Sequence, residues 1–188
     1  MTFITRYVFT AAFLILSNTG HGSKIDSGPG WESITFNGPE LNHFYGNQHP
    51  DPNCWVGVHR AGDSPWFSYG PYARFEGHGD LQVSAYVWLH GKREGIKDED
   101  IVAQWDMNSF EGAINFGDLP TSVYKKDIRG KDDQNPESYW YDYNTQFSQP
   151  LWTFNNLHNP KGLEFRIYNV HPNMIAHICG LKFTWLYR

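Results

Sequence analysis

The segment Trp66–Leu89, WFSYGPYARFEGHGDLQVSAYVWL, decides the fold class. It reads as a strand, a tight turn and a second strand. The turn falls at Glu76-Gly77-His78-Gly79-Asp80, where two glycines tolerate backbone angles that other residues resist. Beyond it Leu81, Val83, Ala85, Val87 and Leu89 alternate with Gln82, Ser84, Tyr86 and Trp88. A two-residue period belongs to a strand with one buried face. The other face then carries aromatic rings beside polar groups.

Working outward, the same pattern recurs at Trp31–Phe36, Cys54–His59, Ile101–Met107, Gly112–Phe116, Gln149–Phe154, Leu163–Asn169 and His177–Tyr187. Turn clusters separate these runs: Asn37-Gly38-Pro39, Asp51-Pro52-Asn53, His158 to Gly162 and Val170 to Asn173. Many short strands at this spacing predict an all-β, antiparallel β-sandwich. In the last strand Cys179, Leu181, Phe183, Trp185 and Tyr187 share one face. In the strand before it Leu163, Phe165 and Ile167 alternate with Glu164, Arg166 and Tyr168. These two are expected to pair antiparallel through a turn near Pro172-Asn173. Helical periodicity is confined to Glu94–Val102, which reads equally well as a loop. Tyr124–Gln146 is polar, charged and rich in tyrosine, and reads as one long surface insertion.

Residues 1–22 have the form of a secretory signal: Arg6, then an apolar run from Tyr7 to Leu16, then Gly20-His21-Gly22. The run is shorter than the roughly 20 residues a membrane-spanning helix needs. Residues 23–188 are expected to form a single domain in a secreted, extracellular protein. The two cysteines, Cys54 and Cys179, would form a disulfide in that compartment. The alternative is two buried thiols. With 15 Lys+Arg against 20 Asp+Glu and no basic cluster, neither nucleic acid nor membrane insertion is expected.

Aromatic residues make up 17% of the chain and include eight tryptophans, a surplus that serves a core, a stacking surface, or both. Trp66 and Tyr69 adjoin the turn-rich segment 61–65. Trp88 lies opposite the inward set of its strand. Trp140, Tyr141 and Tyr143 cluster in the insertion. For each ring the competing reading is core packing. Glu76, Asp80, Asp100, Asp106 and Glu111 fall near strand ends, where solvated turn carboxylates are common. Two carboxylates about 5–9 Å apart across a groove would permit glycoside hydrolysis. The histidines form no HExxH or other recognised zinc spacing, and no metal site is expected. There is no Gly-x-Ser-x-Gly elbow, P-loop or dinucleotide fingerprint.

Three segments together resemble the carbohydrate-binding jelly-roll sandwiches of the galactose-binding-like group. They are Cys54-Trp55-Val56-Gly57-Val58-His59 ahead of Tyr69-Gly70-Pro71-Tyr72, the Gly-rich turn into Leu81–Leu89, and Gly162 to Tyr168 followed by a closing apolar strand. The resemblance implies a jelly roll over about residues 30–187 and a glycan or glycoprotein as partner. It also implies a structural calcium, for which the chain carries no clear loop signature; no other cofactor is expected. The chain departs from the group in its insertion. The expected function is non-catalytic, lectin-like carbohydrate binding through Trp66, Tyr69, Trp88 and Asp106, with Arg74 as a hydroxyl partner. Shallow sugar sites gain from avidity, so homo-oligomers fit this reading. The alternatives are a small secreted polysaccharide hydrolase or lyase, and a secreted protein-interaction module.

Overall fold

The computed structural model describes residues 23–44, 47–48, 54–58, 66–92, 95–111, 114–127, 138–144 and 149–188. The expected signal, residues 1–22, and the turn at 61–65 lie outside the described residues. Among the described residues thirteen strands occur: β1 (Lys24–Gly28), β2 (Trp31–Asn37), β3 (Asn42–Phe44), β4 (Asn47–Gln48), β5 (Trp55–Val58), β6 (Trp66–Ala73), β7 (His78–Lys92), β8 (Ile101–Ser109), β9 (Thr121–Tyr124), β10 (Ser138–Asn144), β11 (Trp152–His158), β12 (Leu163–Tyr168) and β13 (Met174–Tyr187).

They form two antiparallel sheets. In the larger, β13 runs through the middle. Along one side it pairs with β5 and then with β2, which carry β4 and β1 outside them. Along the other side β7 accompanies it from Met174↔Gly91 to Tyr187↔Gly79. β11 and β10 then share the far side of β7. The smaller sheet has the order β3-β6-β12-β8-β9.

One apolar core joins the two sheets. Leu81, Val83, Ala85, Val87 and Leu89 are all fully buried, as their alternation predicts. From the smaller sheet come Ala103, Trp105, Met107, Leu163, Phe165 and Ile167. Rings bridge the layers: Trp152 of β11 lies 5.8 Å from Phe165 of β12, and Phe165 lies 6.2 Å from Trp105. At one end Phe75 stacks on Trp185 at 5.7 Å. Gly79 makes room for that indole: a Cβ there would sit 2.3 Å from the Leu186 carbonyl oxygen and 2.9 Å from the Trp185 ring. The disulfide Cys54–Cys179 is formed and ties the start of β5 to the central strand, 125 residues later.

Several expectations are corrected. β12 and β13 do not pair with each other. β12 lies between β6 and β8, and β13 lies in the opposite sheet. Each carries an apolar face, and two such faces lose more water by meeting across a core than by lying edge to edge. The face of β13 also changes phase, because an irregularity between Ile178 and Gly180 adds a residue. Ala176 and Ile178 are therefore buried along with Leu181, Phe183 and Trp185, and Cys179 falls at the irregularity. The turn at 76–80 carries the chain from one sheet to the other, with Gly77 at φ +87°. Residues 114–116, part of an expected strand, are not strand, while the polar stretch Tyr124–Gln146 contains β10, paired with β7. Of the two readings left open for Glu94–Val102, residues 95–100 follow the loop, with turns and a bend.

Candidate functional site

Alternation leaves the outward positions of β12 and β8 for polar residues. Antiparallel register then sets Glu164 opposite Asn108, Arg166 opposite Asp106 and Tyr168 opposite Gln104. These residues make a strip along the outer face of the smaller sheet. Within it Glu164 is wholly buried, a costly place for a carboxylate without donors. The donors are present. Asn108 Nδ2 donates to Glu164 Oε1 at 2.8 Å, and Arg166 Nε and Nη2 each reach the same oxygen at 2.5 Å. Such charge-assisted contacts fix the guanidinium plane.

Two further clusters bound the strip. At one end the β8 chain leaves the sheet through Phe110, a residue that is 56% exposed. The Arg166 guanidinium lies 6.0 Å from the centre of that ring, within cation–π range. Phe110 is held there by its backbone: its N–H donates to the Gly162 carbonyl at 3.0 Å, and the Ser109 hydroxyl donates to the Lys161 carbonyl. Gly162 sits at φ +62°, and a Cβ on it would meet Phe110 at 3.0 Å. Arg74 and Glu111 pair beside this end at 3.3 Å, both about half exposed. At the other end Gln104 donates to the Ser122 hydroxyl at 2.8 Å and accepts from Asn169 at 2.5 Å.

Asp106 differs from its neighbours. It is partly buried and faces Arg166 across the strands. Loss of hydration pushes its carboxyl above the ordinary value, against a backbone N–H from Met107 and the charge of Arg166, and with help from the charge of Glu164.

Of the residues expected at the site, Arg74 and Asp106 both border this strip. Trp66 and Tyr69 belong to β6 of the same sheet, in register with Tyr168 and Phe165. Trp88 belongs to β7 of the other sheet, in register with His177 and Asp142. The side chains of these three aromatics lie outside the described residues, as do those of Trp140, Tyr141 and Tyr143. The sequence pairs Asn108 with Asp106 as a group that caps a turn or binds sugar hydroxyls, but it does not single out Glu164, Arg166 or Phe110. Their signal was present in the outward alternation of β12, where two opposite charges stand two residues apart.

A second polar cluster lies at the Gly79 end. Asp80 accepts a backbone N–H from Asn156 at 2.8 Å and Arg188 donors at 3.0 and 2.9 Å. These contacts hold its carboxyl below the ordinary value. Burial pushes the Tyr187 phenol up to about 12, with its bond to Glu32 adding to the shift. This cluster ties the end of β13 to β7.

Among the described residues no group of three or more His, Cys, Asp or Glu could hold a metal ion, and no helix is long and apolar enough to cross a membrane. Comparison of the chain with protein-family models, with curated proteins and with solved structures found no match.

Proposed function

We propose that this chain is a secreted jelly-roll module that binds glycans without transforming them, in the manner of the galactose-binding-like group. The strand orders β5-β13-β7-β11 and β6-β12-β8-β9 support the jelly roll, because the chain changes sheet at eight of the twelve connections between the described strands. One observation carries the ligand reading: an exposed Phe110 ring beside the fixed Arg166–Glu164–Asn108 network. A sugar offers an apolar C–H face and a rim of hydroxyls. An exposed ring accepts the first, and hydrogen-bonding groups of fixed geometry read the second. Preorganisation lowers the entropic cost of binding at so shallow a surface.

Binding of the purified chain to an array of oligosaccharides tests this. Binding that Phe110→Ala weakens about tenfold or more supports the reading. Silence on every glycan, with capture of a protein ligand through the same face, would replace it with the interaction-module alternative.

The hydrolase reading draws on the raised pKa of Asp106, since perturbed carboxyls gather at catalytic sites. New reducing ends from a bound polysaccharide, abolished by Asp106→Asn, would establish it.

A further inference from the structure

We propose that Asn37-Gly38 is a site of spontaneous deamidation, and that the Glu40 carboxylate is the latch that sets its rate. The site is separate from the strip on the smaller sheet and owes nothing to that strip's ligand.

Asn37-Gly38 is the one Asn-Gly pair in the chain. The reaction is internal. The Gly38 amide nitrogen gives up its proton and attacks Asn37 Cγ, and the side-chain nitrogen leaves as ammonia. A five-membered succinimide results. Water then breaks one of its two C–N bonds. Breaking the bond at Cγ leaves an aspartate side chain. Breaking the bond at the backbone carbonyl leaves the chain running through Cγ, as isoaspartate. Nothing but water is consumed. A side chain on the following residue would crowd the ring, and Gly38 has none.

Asn37 ends β2 opposite Gly180, and it is exposed. The chain then enters one short 3₁₀ turn, Gly38–Glu40, which the Leu41 N–H closes by donating to the Gly38 carbonyl at 3.1 Å. Glu40 Oε2 accepts from both nitrogens of Asn37, the backbone N–H at 2.8 Å and side-chain Nδ2 at 3.4 Å. Ring closure needs the Gly38 nitrogen to eclipse Asn37 Cβ about the Cα–C bond. A ψ of 164° holds it well away from that arrangement. Attack therefore waits on rotation at Asn37, and that rotation disturbs the contacts with Glu40. Opening one exposed turn costs far less than unfolding the chain. A capping contact of this kind shifts such an opening by about two- to thirtyfold.

The products have a physical signature. A carboxylate at position 37 faces Glu40, so a donor–acceptor contact becomes a like-charge one. Isoaspartate also lengthens the backbone by one carbon where β2 meets β13, shortly before the buried Leu41. Each event adds one negative charge to a formal −5.

The test incubates the whole purified chain in mildly alkaline buffer, digests it with trypsin and follows aspartate and isoaspartate by peptide mass spectrometry. Asn42 lies on the same tryptic peptide, is followed by His43, and serves as the internal reference. Deamidation is expected at Asn37 well before Asn42. Glu40→Ala should speed it about fivefold, whereas Glu40→Gln, whose amide oxygen accepts the same bonds, should stay within about twofold of the native chain. In denaturant, where the turn is open, all three chains should react at one rate. Thermal melts establish that both variants are folded during incubation. Asn37 reacting no faster than Asn42 in the native chain and in Glu40→Ala would overturn the site. Equal Asn37 rates in the native chain and Glu40→Ala, or an acceleration that persists in denaturant, would overturn the latch.

Discussion

Glu164 shows how one residue joins stability to site geometry. It is buried, charged, and supplied with donors from two strands. Removing one partner of such an ion pair leaves the other charge partly desolvated, and the cost is typically about 3–5 kcal/mol. Glu164→Ala should therefore lower the denaturation midpoint sharply and release the Arg166 guanidinium. Phe110→Ala should leave the midpoint almost unchanged, because that ring is largely in water. Asp80 provides a pH test. Its folded pKa lies below the ordinary 3.8, so its stabilisation is complete above that value and is lost as pH falls through the folded one. The melting gap between the native chain and Asp80→Asn should be widest near pH 7 and close in acid. A gap independent of pH would contradict this. Asp106 has the opposite sign: its folded pKa is raised, so stability falls as pH rises above 3.8 and through that raised value. Asp106→Asn should gain on the native chain over that interval.

Among the elements, β7 and β13 carry most of the structural argument. The inward set of β7 was readable because five apolar residues keep strict alternation from Leu81 to Leu89, and all five are buried. β13 was readable only as far as its irregularity. Gly180, an isolated glycine within a strand pattern, is the one local sign of a bulge there, but the direction of the phase shift depends on pairing with β7. β10 was missed because Ser138–Asn144 is rich in tyrosine and lacks an apolar period. Its partner on β7 lies some 50 residues earlier in the chain. The site followed the same pattern. Asp106 drew attention as a carboxylate close to a strand end, and Arg74 as a hydroxyl partner. Glu164 and Asn108 become neighbours only when β12 is laid beside β8, which the sequence does not state. Two element-level predictions follow from contacts. Gly79→Ala should cost about 1–3 kcal/mol, through collision with the Leu186 carbonyl and the Trp185 ring. Replacing both Cys54 and Cys179 by Ser frees a 125-residue loop in the unfolded chain. The chain-entropy argument puts that loss at about 4–5 kcal/mol, readable as a lower denaturant midpoint in the double variant.

At the scale of the molecule, the fold uses its two sheets differently. The larger one holds the longest strands and the disulfide. The smaller one presents the outward strip, with its network fixed before any ligand arrives. Together with the core between them, this arrangement offers a rigid platform on one side of a disulfide-tied frame. The central claim is that ligand binds on that platform. Backbone amide shifts of the isotope-labelled chain, followed while a neutral oligosaccharide is titrated in, test it most directly. The account predicts that the largest changes fall at Asp106, Asn108, Phe110 and Arg166, with Gln82, Ser84 and Lys182 on the opposite sheet unmoved. Saturable changes centred on the opposite sheet, with the strip silent, would contradict it.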